Sequence, residues 1–259
     1  MTHASAYVQD FTDGTSDAAY VGDLNGQLWR FDLTATIGSY LSPTKIATAT
    51  DSLGNAQLIT TAPLIEIQPN TKKRFVMFGT GKLLDSTDIT SSSEQGFYAI
   101  LDGSSTAFRA SVTTPVLRAN LMPVANLTTG ITLTGTSMGW YIDFGIDSGI
   151  GWRLINNPIA NNGIVAFAPM LISGDACCPS GISRVYTIDF QNGSSVLTDT
   201  TAGFVSLSSS ITDLRFVSID GRVLLISGNV RGELDRVNFR SLAGLGLRLL
   251  NWREIPAVD

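Results

Sequence analysis

Histidine and cysteine are almost absent from this 259-residue sequence, which has one histidine, His3, and two cysteines. A structural zinc site takes four nitrogen or sulfur ligands, and too few are left here to build one. The same scarcity argues against Ser-His and Cys-His nucleophiles, since His3 lies in a terminal stretch of the kind that frays. The cysteines are adjacent, Cys177-Cys178, so they cannot staple distant segments. A vicinal disulfide, two free thiols and pairing with a cysteine elsewhere all remain open. Charge is also scarce. Charged residues make up 15%, against about 25% in an average globular domain. The net charge of −5 provides no basic patch to neutralise phosphates, so nucleic acid is not an expected partner. No apolar run reaches the ~18 residues of a transmembrane helix. Met1-Thr2-His3-Ala4 has neither the basic nor the apolar region of a secretion signal. Helix is missing as well: the one stretch rich in helix formers, Leu242–Leu250, is interrupted by Gly244 and Gly246.

What the sequence has instead is short strands and turns. Ser, Thr, Gly and Asn fill the space left by charge and suit turns and exposed strand faces. The clearest hairpin is Tyr20-Val-Gly-Asp-Leu-Asn25-Gly26-Gln-Leu-Trp29-Arg-Phe31-Asp32, where Asn25-Gly26 is a preferred tight-turn dipeptide. The strand that follows alternates, with Leu28, Arg30 and Asp32 on one face and Trp29 and Phe31 on the other. We expect Trp29 and Phe31, with Tyr20 facing them, to form the local core. Further strands are expected at Lys73–Gly79, Gly96–Leu101, Gly139–Phe144, Gly163–Leu171, Arg184–Phe190, Phe204–Leu207, Leu214–Ile219 and Arg222–Ser227, with Thr34–Asn55 as an inserted loop.

An aromatic followed by a strand and an aspartate recurs at Trp29…Asp32, Tyr98…Asp102, Tyr141…Asp143 and Tyr186…Asp189. The last three aspartates are 41 and 46 residues apart, and the first gap is 70. Periods of about 40–50 residues, each holding several strands, point to propeller blades. The expected fold is therefore all-β, a β-propeller with about four or five blades in this chain and part of a larger propeller. The rival is a pair of β-sandwiches with no repeat.

The run Ala19–Leu33 resembles the signature hairpin of the propeller of bacterial type IV pilus adhesins of the PilC/PilY family. Phe75-Val-Met-Phe-Gly79-Thr80-Gly81-Lys82, Gln95–Ile100, Gly139-Trp140-Tyr141-Ile142-Asp143, Cys178-Pro-Ser-Gly181 with Tyr186-Thr-Ile-Asp189, and Asn251-Trp252-Arg253-Glu254-Ile255 resemble later family segments in the family's order. The resemblance covers roughly Tyr7 to Ile255. It implies that residues 1–259 are the C-terminal, quinoprotein-like propeller of a longer protein, truncated at its N-terminal side. It also implies an extracytoplasmic place at the pilus tip and outer-membrane surface, with minor pilins and pilus tip components as partners and a host-cell or abiotic surface as target. The implied role is non-enzymatic: promoting piliation, countering retraction, and supporting attachment and twitching motility.

The family also carries a calcium loop before the signature hairpin. Calcium takes six to eight oxygens, which such a loop supplies from positions 1, 3, 5, 7 and 9 around a glycine at 6. Aligned on Gly14, this sequence keeps Asp13, Thr15 and Asp17 but has Gln9 and Phe11 where oxygen ligands belong, with Asp10 one place out of phase. Calcium is expected to bind weakly here or to be lost, and Asp13-Gly14 to serve as a β-turn with Asp17 as its cap. Two other functions remain. A quinoprotein-like dehydrogenase would need a cofactor cavity and a catalytic carboxylate, neither of which can be assigned. A stand-alone carbohydrate-binding propeller would use exposed aromatics, but Trp29, Trp140, Trp152 and Trp252 suit blade packing better.

Overall fold

The computed structural model describes residues 2–36, 38–110, 115–145, 151–174, 179–220 and 222–242. The first sheet is a meander of β1 (Ala4–Tyr7), β2 (Ala18–Gly22), β3 (Gln27–Asp32) and β4 (Thr44–Thr48). The second holds β5 (Leu64–Ile67), β6 (Lys73–Gly79), β7 (Gly96–Ser104) and β9 (Gly139–Asp143), with the short β8 (Met122–Pro123) parallel at its edge. The fourth has β17 (Ile211–Ile219), β18 (Arg222–Asn229) and β19 (Leu234–Val237). Helix among the described residues is limited to two 3₁₀ turns, Ser86–Thr90 and Arg118–Asn120.

The third sheet is built from seven strands: β10 (Trp152–Arg153), β11 (Ile159–Asn161), β12 (Ile164–Phe167), β13 (Met170–Gly174), β14 (Pro179–Asp189), β15 (Ser194–Ser195) and β16 (Val205–Leu207). Register simplifies it. Phe167 faces Tyr186 and Met170 faces Ser183, which is one unbroken register, and the Arg184 amide donates to Pro169 O across the gap. β12 and β13 are thus one long strand in which Pro169, lacking an N–H, interrupts the ladder. β10 with β11, and β15 with β16, flank it as interrupted outer strands, so this sheet too has a four-strand plan.

First strands gather together: β1 touches β5, β5 touches β11, and β11 touches β17. The four sheets therefore stand side by side around a common axis as blades of a β-propeller. Blades one and two pack through Tyr20, Leu28 and Ile46 against Val76, Phe78, Tyr98 and Ile100. Blades two and three pack through Phe75, Met77, Phe97 and Trp140 against Phe167, Tyr186, Ile188 and Phe190. Ala166 and Val185 meet Ile211, Leu214, Leu225 and Val237 between blades three and four. Side chains alternate across a strand, so β6 sends Val76 and Phe78 one way and Phe75 and Met77 the other. A strand buried on both faces reads as an unbroken apolar run, as Phe75–Phe78 does. At the second joint Phe97, Phe167 and Tyr186 stack nearly parallel, with centroids 3.9 and 5.0 Å apart.

Several sequence expectations change. On β3 the fully buried face is Leu28 and Arg30, while Trp29 and Phe31 are only half-buried. They occupy the face of the first blade turned away from the second. Trp29 donates from Nε1 to Asp23 Oδ2 at 3.0 Å and lies 5.8 Å from the Lys45 ammonium. Tyr20 is buried as expected. In the turn before β3 only Gly26 has positive φ, at 72°, and Asn25 does not. The Asp23 carboxylate completes the turn by accepting from the Asn25 and Gln27 amides. A Cβ on Gly26 would stand 2.6 Å from Ala49 O, so a side chain is excluded there by sterics as well as by φ. The span Thr34–Asn55 is not all loop, since it contains β4.

The aspartate repeat also divides differently. Asp32, Asp102 and Asp189 end or lie near the end of third strands, whereas Asp143 ends β9, the fourth strand of the second blade. The 70-residue gap is thus a true blade spacing, and the 41-residue gap falls inside one blade. Trp252 and the segment Asn251–Ile255 lie outside the described residues, as do Cys177 and Cys178.

Burial orders the expected stabilities. Leu28→Ala should destabilise by ~2–4 kcal/mol in urea unfolding, as large-to-small changes in a closed core do. Trp29→Ala should cost clearly less, because its face is half-open. A larger loss for Trp29 than for Leu28 would place the core on the wrong face of β3.

Candidate functional site

The β1–β2 loop, residues 8–17, holds every residue expected to ligate calcium. β1 ends at Tyr7 and β2 begins at Ala18, and the loop closes between them through the Asp17 amide donating to Tyr7 O at 2.9 Å. Within it the carboxylates turn back on the chain. Asp10 Oδ1 accepts from the Thr12 amide and hydroxyl at 2.9 and 2.6 Å. These bonds hold the Asp10 carboxyl below its usual pKa. Asp13 Oδ1 accepts from the Thr15 amide at 2.8 Å, and Asp17 Oδ2 from the Gln9 amide at 2.6 Å. Gly14 takes φ of 69° at the bend, and Phe11 is 84% exposed.

Gln9 therefore meets Asp17 through its backbone N–H, a donor that no cation accepts. Among the described residues no three acidic, histidine or cysteine side chains gather in a metal-binding group. Asp13 and Asp17 with two neutral oxygens do not fit the six to eight ligands of a full calcium shell.

Beneath this loop lies a polar knot that joins the first two blades. Asp102, at the end of β7, is fully buried. It accepts from Arg30 Nη1 at 2.7 and 2.9 Å and from the Tyr20 hydroxyl at 2.7 Å. Burial, reinforced by the charge on Asp102, holds the Tyr20 hydroxyl protonated far above the usual tyrosine range. Arg74, on β6, donates to Asp102 O at 2.9 Å, and its guanidinium lies between the Tyr7 and Phe108 rings at 4.2 and 4.3 Å. The Tyr7 hydroxyl in turn donates to Ser105 O. The loop is thus mounted on Tyr7, which is itself clamped into the second blade. Arg109 closes the knot by donating from Nη2 to Ile46 O at 3.0 Å.

A second ion pair joins the 3₁₀ turn Arg118–Asn120 to the end of β9, where Asp143 pairs with Gly96 at the start of β7. Arg118 grips Asp143 through both guanidinium nitrogens, at 2.9 and 2.5 Å, and lies 4.0 Å over the Tyr141 ring. Burial pushes the Asp143 carboxyl pKa up despite Arg118. Arg30 and Asp102 lie within segments singled out in the sequence, the signature hairpin and the aspartate repeat. Their pairing across 72 positions has no local signal, because it depends on how two blades stack.

A β-propeller with short strands, no long helix among its described residues and charged side chains buried at its blade joints is the class these features define. Residues 3–128 match the family model described as the PilY1 beta-propeller domain. The chain is 29% identical to the type IV pilus biogenesis factor PilY1 of Pseudomonas aeruginosa over 228 residues, 70% of this chain and 20% of that protein. A homologue from Xylella fastidiosa is 36% identical over 95 residues, 37% of this chain and 8% of that protein. The fold matches the crystal structure of the Pseudomonas aeruginosa PilY1 C-terminal domain with a TM-score of 0.70 at 23% identity, covering 91% of this chain and 60% of that one. The chain is thus similar to the PilY1 family through residues 3–128 and shares the propeller fold of that C-terminal domain, and it spans about a fifth of the length of the first of these curated relatives.

Removing the Asp102 carboxylate leaves Arg30 buried without its counter-charge and Tyr20 without its acceptor. Asp102→Ala should therefore cost ~3–5 kcal/mol, as breaking a buried pair from one side does. Chemical denaturation measures this, and a loss below ~1 kcal/mol would show that water replaces the carboxylate and that the knot does not hold the blades together.

Proposed function

We propose that this chain is the propeller module of a type IV pilus biogenesis factor. In the whole protein it sits at the pilus tip and cell surface, promotes piliation against retraction and supports attachment, acting by binding pilus components rather than by catalysis. The observation that carries the reading is the Tyr20–Leu33 hairpin. It folds as β2 and β3 inside the matched residues 3–128, and its arginine, Arg30, locks one blade to the next. The names of the relatives support the pilus role, and the buried pairing of Arg30 with Asp102 supports a structural use of the signature over a chemical one.

Deleting the segment 7–255 from the parent protein should lower surface piliation, scored by electron microscopy and sheared-pilus yield, with pilin synthesis unchanged. Removing the retraction motor should restore the pili. Piliation that is unchanged in the deletion strain would sink the proposal.

Retraction control in this protein is proposed to run without a tightly held calcium ion. The hydrogen bonds of Asp10, Asp13 and Asp17 to the loop's own amides support this, since they satisfy the loop without an ion. Calorimetry should find calcium affinity no better than roughly millimolar, and a chelator should leave the melting temperature in place. Micromolar binding that disappears in Asp13→Ala would overturn it.

A further inference from the structure

Between the third and fourth blades the chain leaves a cleft of about 360 Å³ on the outer side of the joint. Its floor is set by backbone pairing between the blades. Leu197 bridges Phe239, the Thr198 amide donates to Asn238 O at 3.3 Å, and the Arg240 amide donates to Val196 O at 2.8 Å. One wall is β16 with the half-buried Phe204 before it, and the other is β19.

The polar groups lining this cleft are fixed in place. Asn238 Nδ2 donates to Asp199 Oδ2 at 2.6 Å, and the Thr198 hydroxyl donates to Asp199 Oδ1 at 2.9 Å. A carboxylate has about four acceptor sites, so each Asp199 oxygen keeps one, and the Asn238 amide keeps its carbonyl and one N–H. Asp235 and Arg236, consecutive on β19, add an acceptor and a donor to the same lining.

We propose that this cleft binds a neutral sugar through its hydroxyl groups. A carboxylate and an amide locked together present acceptor and donor side by side, the arrangement that a pair of neighbouring hydroxyls satisfies. Two carboxylates against one guanidinium disfavour an anion, while Arg236 disfavours a simple cation. Val205 and Phe204, whose ring carries Arg184 over one face at 4.3 Å, supply the apolar part of the lining for the C–H groups of a pyranose ring, and the volume lies at the low end of small-molecule pockets. The site is independent of the pilus role, because it lies at another blade joint from the signature hairpin and the calcium-type loop.

The test is saturation-transfer NMR of the purified chain with a panel of neutral methyl hexopyranosides, followed by titration of the best binder. Binding should be weakened at least about tenfold by Asp199→Ala and by Asp235→Ala, and left unchanged by Asp213→Ala on β17, outside the cleft. All three side chains are exposed, so melting temperatures should stay in place and report folding separately. No transfer to any sugar at millimolar concentration would overturn the proposal, as would binding that survives both cleft substitutions. Neither result alters the piliation test.

Discussion

A four-stranded antiparallel sheet has two faces and no means of covering them itself, and the architecture of this chain follows from that constraint. The second and third blades bury both faces, so β6 and β12 carry unbroken apolar runs, Phe75–Phe78 and Ile164–Phe167. The flanking blades bury one face within this chain and alternate accordingly: Leu28 and Arg30 are inside, while Trp29 and Phe31 are half-open. Aromatics concentrate where two blades must meet over a wide area. The Phe97–Phe167–Tyr186 stack fills the second joint with flat rings that interleave from both sides.

Apolar packing alone would let blades slide, since it has little directionality. The Arg30–Asp102–Tyr20 knot adds direction. Its bonds form only when β3 and β7 stand in one relative position, and buried charge makes any other position costly. Arg74, held between Tyr7 and Phe108, extends the same lock to the first strand of the first blade. The surface loop after Tyr7 is therefore rigidly referenced to the second blade, and its aspartates are bonded to neighbouring amides.

Charged residues are few, and several of them are used inside the joints. Loops and clefts at the rims lie outside these joints, among them the β1–β2 loop and the cleft carrying Asp199 and Asn238. A frame fixed by its joints tolerates substitution there, because the chemistry of a rim can change without disturbing the stacking beneath it.

The sequence by itself determined the all-β class, the strands with strong local patterns and the family resemblance. β6, the hairpin of β2 and β3, and the long β14 are legible because alternation, apolar runs and turn residues act over a few positions. The short outer strands β4, β10, β11 and β15 were not legible, since edge strands of two to five residues carry little pattern. The assignment of faces was hidden too. Alternation separates Trp29 from Arg30 but does not say which side meets a neighbour, and an arginine on the buried side reads locally as solvent-facing. Only the tertiary structure supplied Asp102 as the reason Arg30 is inside, and only it divided the aspartate repeat correctly between blades. Register within a strand is a local property of the chain, whereas the partner of a face is decided by which sheet stacks on it.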